Sequence, residues 1–81
     1  MNSAQCRMAR AAIRWSTVEL AKAAGLTPTT VNRFENGKDA YTSTATKLRD
    51  AFLATGLIRF EGDGGVYYLG RLVTADDEQR G

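Results

Sequence analysis

Between Pro28 and Phe34 four polar side chains crowd into one short stretch: Thr29, Thr30, Asn32 and Arg33. A guanidinium offers a rigid fork of donors and a carboxamide offers a donor beside an acceptor, so both suit flat partners with paired hydrogen-bonding edges. The groups that catalysis needs are missing. The chain has no His to act as general base, and its one cysteine, Cys6, falls on the apolar side of a helical pattern, where a buried inert thiol is expected rather than a nucleophile. No Gly-rich loop joins a strand to a helix, since the glycines of residues 62–65 fall in a hairpin turn. Without His and with a lone Cys, no metal-ligand cluster and no internal disulfide are expected. The sequence therefore argues against an enzyme and implies no cofactor and no metal.

Helices are needed to hold that polar row in place. Cys6, Ala9 and Ile13 recur at helical spacing with Arg7, Arg10 and Arg14 between them, which predicts a first helix over about residues 4–14, with Ser3 as its N-cap. Ser16 and Glu19 form a capping box that starts a second helix, and Trp15 and Leu20 stand at the two positions of a hydrophobic staple. Gly25 ends that helix by supplying the left-handed conformation. Thr27-Pro28 starts a third, over about 28–36, closed by Asn36-Gly37. After a loop, Ala45, Leu48, Ala51 and Phe52 are spaced for a fourth helix, capped by Thr42, Ser43 or Thr44 and ended by Gly56. Residues 57–61 and 66–73 are rich in β-branched and aromatic types and flank a Gly-rich turn, the composition of a β-hairpin. The expected fold is mostly α: a single domain over 1–81, with a helical core over 4–56, a hairpin over 57–73 and a frayed polar tail over 74–81.

A chain of 81 residues buries only about 60 to 65% of its unfolded surface, so its core is thin. Apolar runs are broken well before the roughly 18 residues a membrane span needs, and no signal-peptide pattern opens the chain, which predicts a cytoplasmic protein. The formal net charge of +2 is unevenly placed, at +5 over residues 1–60 and −3 over 61–81, so the helical part is the part suited to a polyanion.

Two short helices joined by a Gly-containing turn are what a helix-turn-helix requires. Ala21 is small where the helices must cross, and Leu20, Ala24, Leu26, Val31 and Phe34 point inward, which turns Thr29, Thr30, Asn32 and Arg33 outward as candidates for contact with bases. Over about residues 4–57 the chain resembles the phage repressor and Cro class of helix-turn-helix regulators, the XRE family. The resemblance is carried by Trp15-Ser16-Thr17-Val18-Glu19-Leu20-Ala21-Lys22-Ala23-Ala24-Gly25-Leu26-Thr27 and by Val31-Asn32-Arg33-Phe34-Glu35-Asn36-Gly37-Lys38. It implies a four-helix repressor-like domain that binds double-stranded DNA, on the nucleoid when bound, with the third helix in the major groove.

By position, the resemblance assigns base reading to Pro28, Thr29 and Arg33, with Asn32 close by. Arg33 suits guanine O6 and N7, Asn32 suits adenine N6 and N7, and Thr29 a thymine methyl. Phosphate contacts are implied for Thr17, Thr27, Asn36, Lys38, Thr44 and Lys47. A structural pair is implied between Arg10 and Glu35. Two positions depart from the family pattern: Pro28, where many relatives carry a polar base reader, and Thr17, where they usually carry Gln.

Both faces of the expected hairpin are substantially apolar, and a two-stranded hairpin on so small a domain leaves one face bare unless something covers it. The simplest cover is a second copy, so a homodimer is expected, with Tyr67, Leu69 and Val73 at its interface, suited to palindromic half-sites. Repression by occlusion is the expected mechanism. The rival reading is a protein-interaction module, such as an antitoxin or an anti-activator, that acts mainly through a toxin or an activator; a controller that activates through contact with polymerase at an adjacent site is a further alternative.

Overall fold

Asn2 opens the first helix, α1 (Ser3–Ala12), through a reciprocal box: its side chain accepts from the Gln5 amide at 2.8 Å, and Gln5 Oε1 accepts from the Asn2 amide at 3.0 Å. Ser3 was the expected cap. It is instead the first helical residue, because Asn2 has Gln5 three positions on whereas Ser3 has Cys6 there, which cannot reach back. The computed structural model describes residues 1–39 and 41–74, so the expected tail lies, apart from Thr74, outside the described residues. Within them follow α2 (Thr17–Ala24), α3 (Pro28–Glu35), α4 (Thr42–Ala54), β1 (Ile58–Glu61), β2 (Gly65–Tyr68) and β3 (Arg71–Leu72).

α2 begins at the Ser16 capping box, with the Glu19 amide to Ser16 Oγ at 3.1 Å and the Ser16 amide to Glu19 Oε1 at 3.0 Å. It ends on Gly25 at φ 70°, a left-handed backbone that costs glycine little and would strain any residue bearing a Cβ. Thr27 then caps α3, with Pro28 in the first turn, where its missing amide proton costs nothing. α4 departs from expectation at its start. Tyr41 is the N-cap residue and makes no side-chain cap bond, while Thr42, Ser43 and Thr44 all lie inside the first turn.

The C-terminal segment is a three-stranded antiparallel sheet in the order β1-β2-β3, rather than a two-stranded hairpin. The chain reverses at Leu69 and Gly70, both at positive φ (53° and 79°), which splits the single strand expected over 66–73. Two successive residues in that region are the mark of a tight hairpin turn whose twist matches its strands. Ile58 pairs with Tyr68 and Phe60 with Val66 on the core side, whereas Arg59, Tyr67 and Leu72 align across the outer side. The reversal also corrects an expected interface residue. Val73 is 2% exposed and its amide donates to the Val66 carbonyl at 2.7 Å, so it is part of this chain's own core and not of a dimer surface.

The core joins Cys6 and Ala9 of α1, Leu20 and Ala21 of α2, Val31 and Phe34 of α3, Leu48, Ala51 and Phe52 of α4, and Ile58, Val66 and Val73 of the sheet segment. An aromatic ladder crosses it. Trp15 stacks on Phe52 with centroids 6.0 Å apart, and Phe52 meets Phe60 edge-on at 5.9 Å. The ladder ties the α1–α2 corner to α4 and to β1.

At the other end of the sheet the clasp is polar. Gln5, 1% exposed, donates through Nε2 to the carbonyls of Gly62 and Gly65 at 2.9 and 3.0 Å, and the Asn2 side chain donates to the Asp63 carbonyl. Gln5 thus satisfies two turn carbonyls with one amide while its oxygen caps α1. Gln5→Ala should lower stability by about 1 to 2 kcal/mol, because it strips two part-buried turn carbonyls of their donor and removes the side-chain oxygen that caps α1. A urea titration checks this, and an unshifted midpoint would mean that the turn is held by other contacts.

Candidate nucleic-acid interface

α3 is eight residues long and is held from one side only. Val31 is fully buried and Phe34 is 7% exposed, and both face the core, while Pro28, Thr29, Asn32 and Arg33 are all exposed. The spacings 28 to 32 and 29 to 33 are each one helical turn, so these four side chains form one contiguous strip. Thr30 was also expected outward, but it is half-buried and engaged in the cap, its amide 3.2 Å and its hydroxyl 2.9 Å from Thr27 Oγ1.

The last residue of α3 fixes the helix to the rest of the molecule. Glu35 is 6% exposed, and its carboxylate accepts from Arg10 Nε at 2.9 Å and from Arg10 Nη2 at 3.1 Å, a two-pronged ion pair from α1. Arg10 also donates through Nη1 to the Trp15 carbonyl at 3.1 Å, so one guanidinium spans α1, the α1–α2 corner and α3. Cys6 adds its thiol to Glu35 Oε2 at 3.6 Å, and Arg7 donates to the Glu35 main-chain carbonyl. Burial, and then the Glu35 charge and the hydrogen bond to it, push the Cys6 thiol far above its ordinary range, so it stays protonated and serves as a donor. Among the described residues no buried side-chain nitrogen or oxygen lacks a partner.

Around the strip, Thr27 is exposed at the N-terminus of α3, and Asn36 and Lys38 are exposed beyond its C-terminus. The Lys38 amide closes the helix on the Arg33 carbonyl at 2.8 Å. Lys47 is exposed on α4, and Thr17 is half-buried in the first turn of α2. Thr44 is a correction to the expected phosphate set: it is 6% exposed, facing inward under the first turn of α4, and its side chain is withdrawn from the surface. On the sheet, Tyr67 is half-buried with the Arg59 guanidinium 4.2 Å above its ring, and Leu69 is 66% exposed. Arg7, Gln5 and Asn2 were not singled out from the sequence. The signals were there in the Asn2-to-Gln5 capping spacing and in Arg7 standing one turn before Arg10.

Two helices crossing at a left-handed Gly25, with a bare polar strip on the second and a buried carboxylate anchoring its end, define a helix-turn-helix domain. The sequence model of the helix-turn-helix family matches residues 7–52, more than half of the chain, and the protein belongs to that family, of the XRE type. It is accordingly a DNA-binding transcription regulator, from a family of regulators and not of enzymes. Searches of the curated proteins and of the solved structures return no match. Among the described residues no cluster of His, Cys, Asp and Glu is placed to hold a metal ion, and no helix is long and apolar enough to cross a membrane.

Removing the cation of a buried pair leaves the carboxylate desolvated and unpaired. Arg10→Met, which keeps most of the stem, should therefore lower stability by about 3 kcal/mol. Urea unfolding measures this, and a loss below about 0.5 kcal/mol, the scale of an exposed pair, would contradict the anchoring role.

Proposed function

We propose that the protein is a repressor that binds palindromic operator half-sites as a homodimer, with α3 in the major groove. The observation that carries this reading is the exposed strip of Pro28, Thr29, Asn32 and Arg33 on a helix whose opposite face is locked into the core. Arg33 pairs with guanine O6 and N7, Asn32 with adenine N6 and N7, Thr29 packs on a thymine methyl, and Pro28 adds apolar contact. Thr17, Thr27, Asn36, Lys38 and Lys47 contact phosphates and set the register, their exposed or half-exposed positions being compatible with that role. Repression follows from occlusion of a promoter.

The second copy covers the outer side of the sheet. Leu69 supports this, being a large apolar side chain that is 66% exposed and held at φ 53°, a conformation unfavourable for any residue with a Cβ. Tyr67 and Leu72, the latter 49% exposed, lie opposite each other on that outer side. Such a surface equally fits a different protein, the reading in which the domain serves an antitoxin or anti-activator. Charged residues at Tyr67 and Leu69 separate the two. In the dimer reading they reduce the mass measured by light scattering at micromolar concentration to that of a monomer, whereas an unchanged mass rejects the sheet as the dimer interface.

The DNA reading is tested by two substitutions with different signatures. Arg33→Ala should cost about 1 to 3 kcal/mol on the operator and relax one base position, while Lys38→Ala should weaken binding to all sequences and lower the salt slope by about 1. Competition binding on operator and unrelated duplexes at several salt concentrations measures both. Equal losses from both variants on all DNA would refute the division of roles.

A further inference from the structure

The C-terminal end of α3 is closed by the backbone at three carbonyls but not at the fourth. Asn36, Gly37 and Lys38 amides donate to the carbonyls of Asn32, Phe34 and Arg33 at 3.0, 3.0 and 2.8 Å. The next carbonyl, that of Glu35, takes its donor from a different helix, the Arg7 guanidinium on α1. A cation there also faces the negative end of the α3 dipole. Glu35 is consequently gripped twice, by Arg10 at the carboxylate and by Arg7 at the main chain. The two grips constrain different motions. A side-chain anchor leaves the backbone free to pivot about the bonds of that side chain, and an added main-chain anchor removes the pivot.

From this we infer that Arg7 is a positioning residue for base reading: it fixes the C-terminal end of α3 so that Arg33, two residues before Glu35, meets a base edge in register. The inference rests on the proposed role of α3 in the major groove. Base-edge hydrogen bonds tolerate displacements of only a few tenths of an ångström, whereas phosphate contacts through flexible lysines tolerate more. Loss of Arg7 should therefore weaken operator binding selectively.

The test uses the full chain, an operator duplex selected from a random pool by the unaltered protein, and an unrelated duplex of equal length. Arg7→Met, which keeps the stem and removes the donors, should bind the operator roughly tenfold more weakly, with binding to the unrelated duplex and its salt dependence unchanged. Arg7→Lys, which restores a cationic donor, should recover most of the loss. Amide hydrogen exchange on the free proteins reads the positioning without DNA: Asn36, Gly37 and Lys38 should exchange faster in Arg7→Met, with α2 unaffected. Parallel losses on both duplexes with a flatter salt slope would make Arg7 a phosphate contact and overturn the inference, as would unchanged operator affinity. If the unaltered protein selects no sequence, the role of α3 fails by itself, and unchanged exchange at residues 36–38 would still overturn the positioning of its end by Arg7.

Discussion

A carboxylate taken out of water must be paid for by partners, and the Glu35 carboxylate, at the end of α3, collects a guanidinium fork from Arg10 and a thiol from Cys6. Those partners all come from α1. The demand of one buried charge thus draws the end of α3 to α1, on the same side that Val31 and Phe34 turn to the core. The outward direction of Pro28, Thr29, Asn32 and Arg33 then follows from helical geometry.

The sheet supports the same arrangement from behind. It packs on α1 and α4, through the Gln5 clasp at its first turn and through the Trp15, Phe52 and Phe60 ladder within the core. In so short a chain, where apolar burial is limited, a polar clasp adds rigidity that a larger core would supply by packing alone. α1 is the common element. It holds α3 through Arg7 and Arg10 and the sheet through Asn2 and Gln5.

Much of this was legible in the sequence because it is local. The Ser16 to Glu19 box, Gly25, and Thr27-Pro28 each impose a boundary through their own backbone chemistry, and the structure has α2 and α3 where they point. The inward positions of α3 follow from spacing alone. What was not legible depends on chain reversals and on contacts distant in sequence. Leu69 carries no turn signature of its own, so the reversal at Leu69-Gly70, the third strand and the inward turn of Val73 were missed. Thr44 reads as a surface polar residue in a helix start, yet the packing of α4 buries it. Arg7 and Gln5 act on residues 28 and some 60 positions away, and no local pattern announces such partners.

The proposed role of a single strip of side chains connects this architecture to regulation, and the groove it would occupy can be read chemically. Guanine N7 lies in the major groove and adenine N3 in the minor groove, so methylating each in a selected operator before binding distinguishes the two faces of the duplex. The account predicts that methyl groups on guanine N7 within each half-site block binding, that those on adenine N3 there do not, and that Arg33→Ala abolishes the block at one guanine. Interference confined to adenine N3, or a guanine pattern indifferent to Arg33, would contradict it.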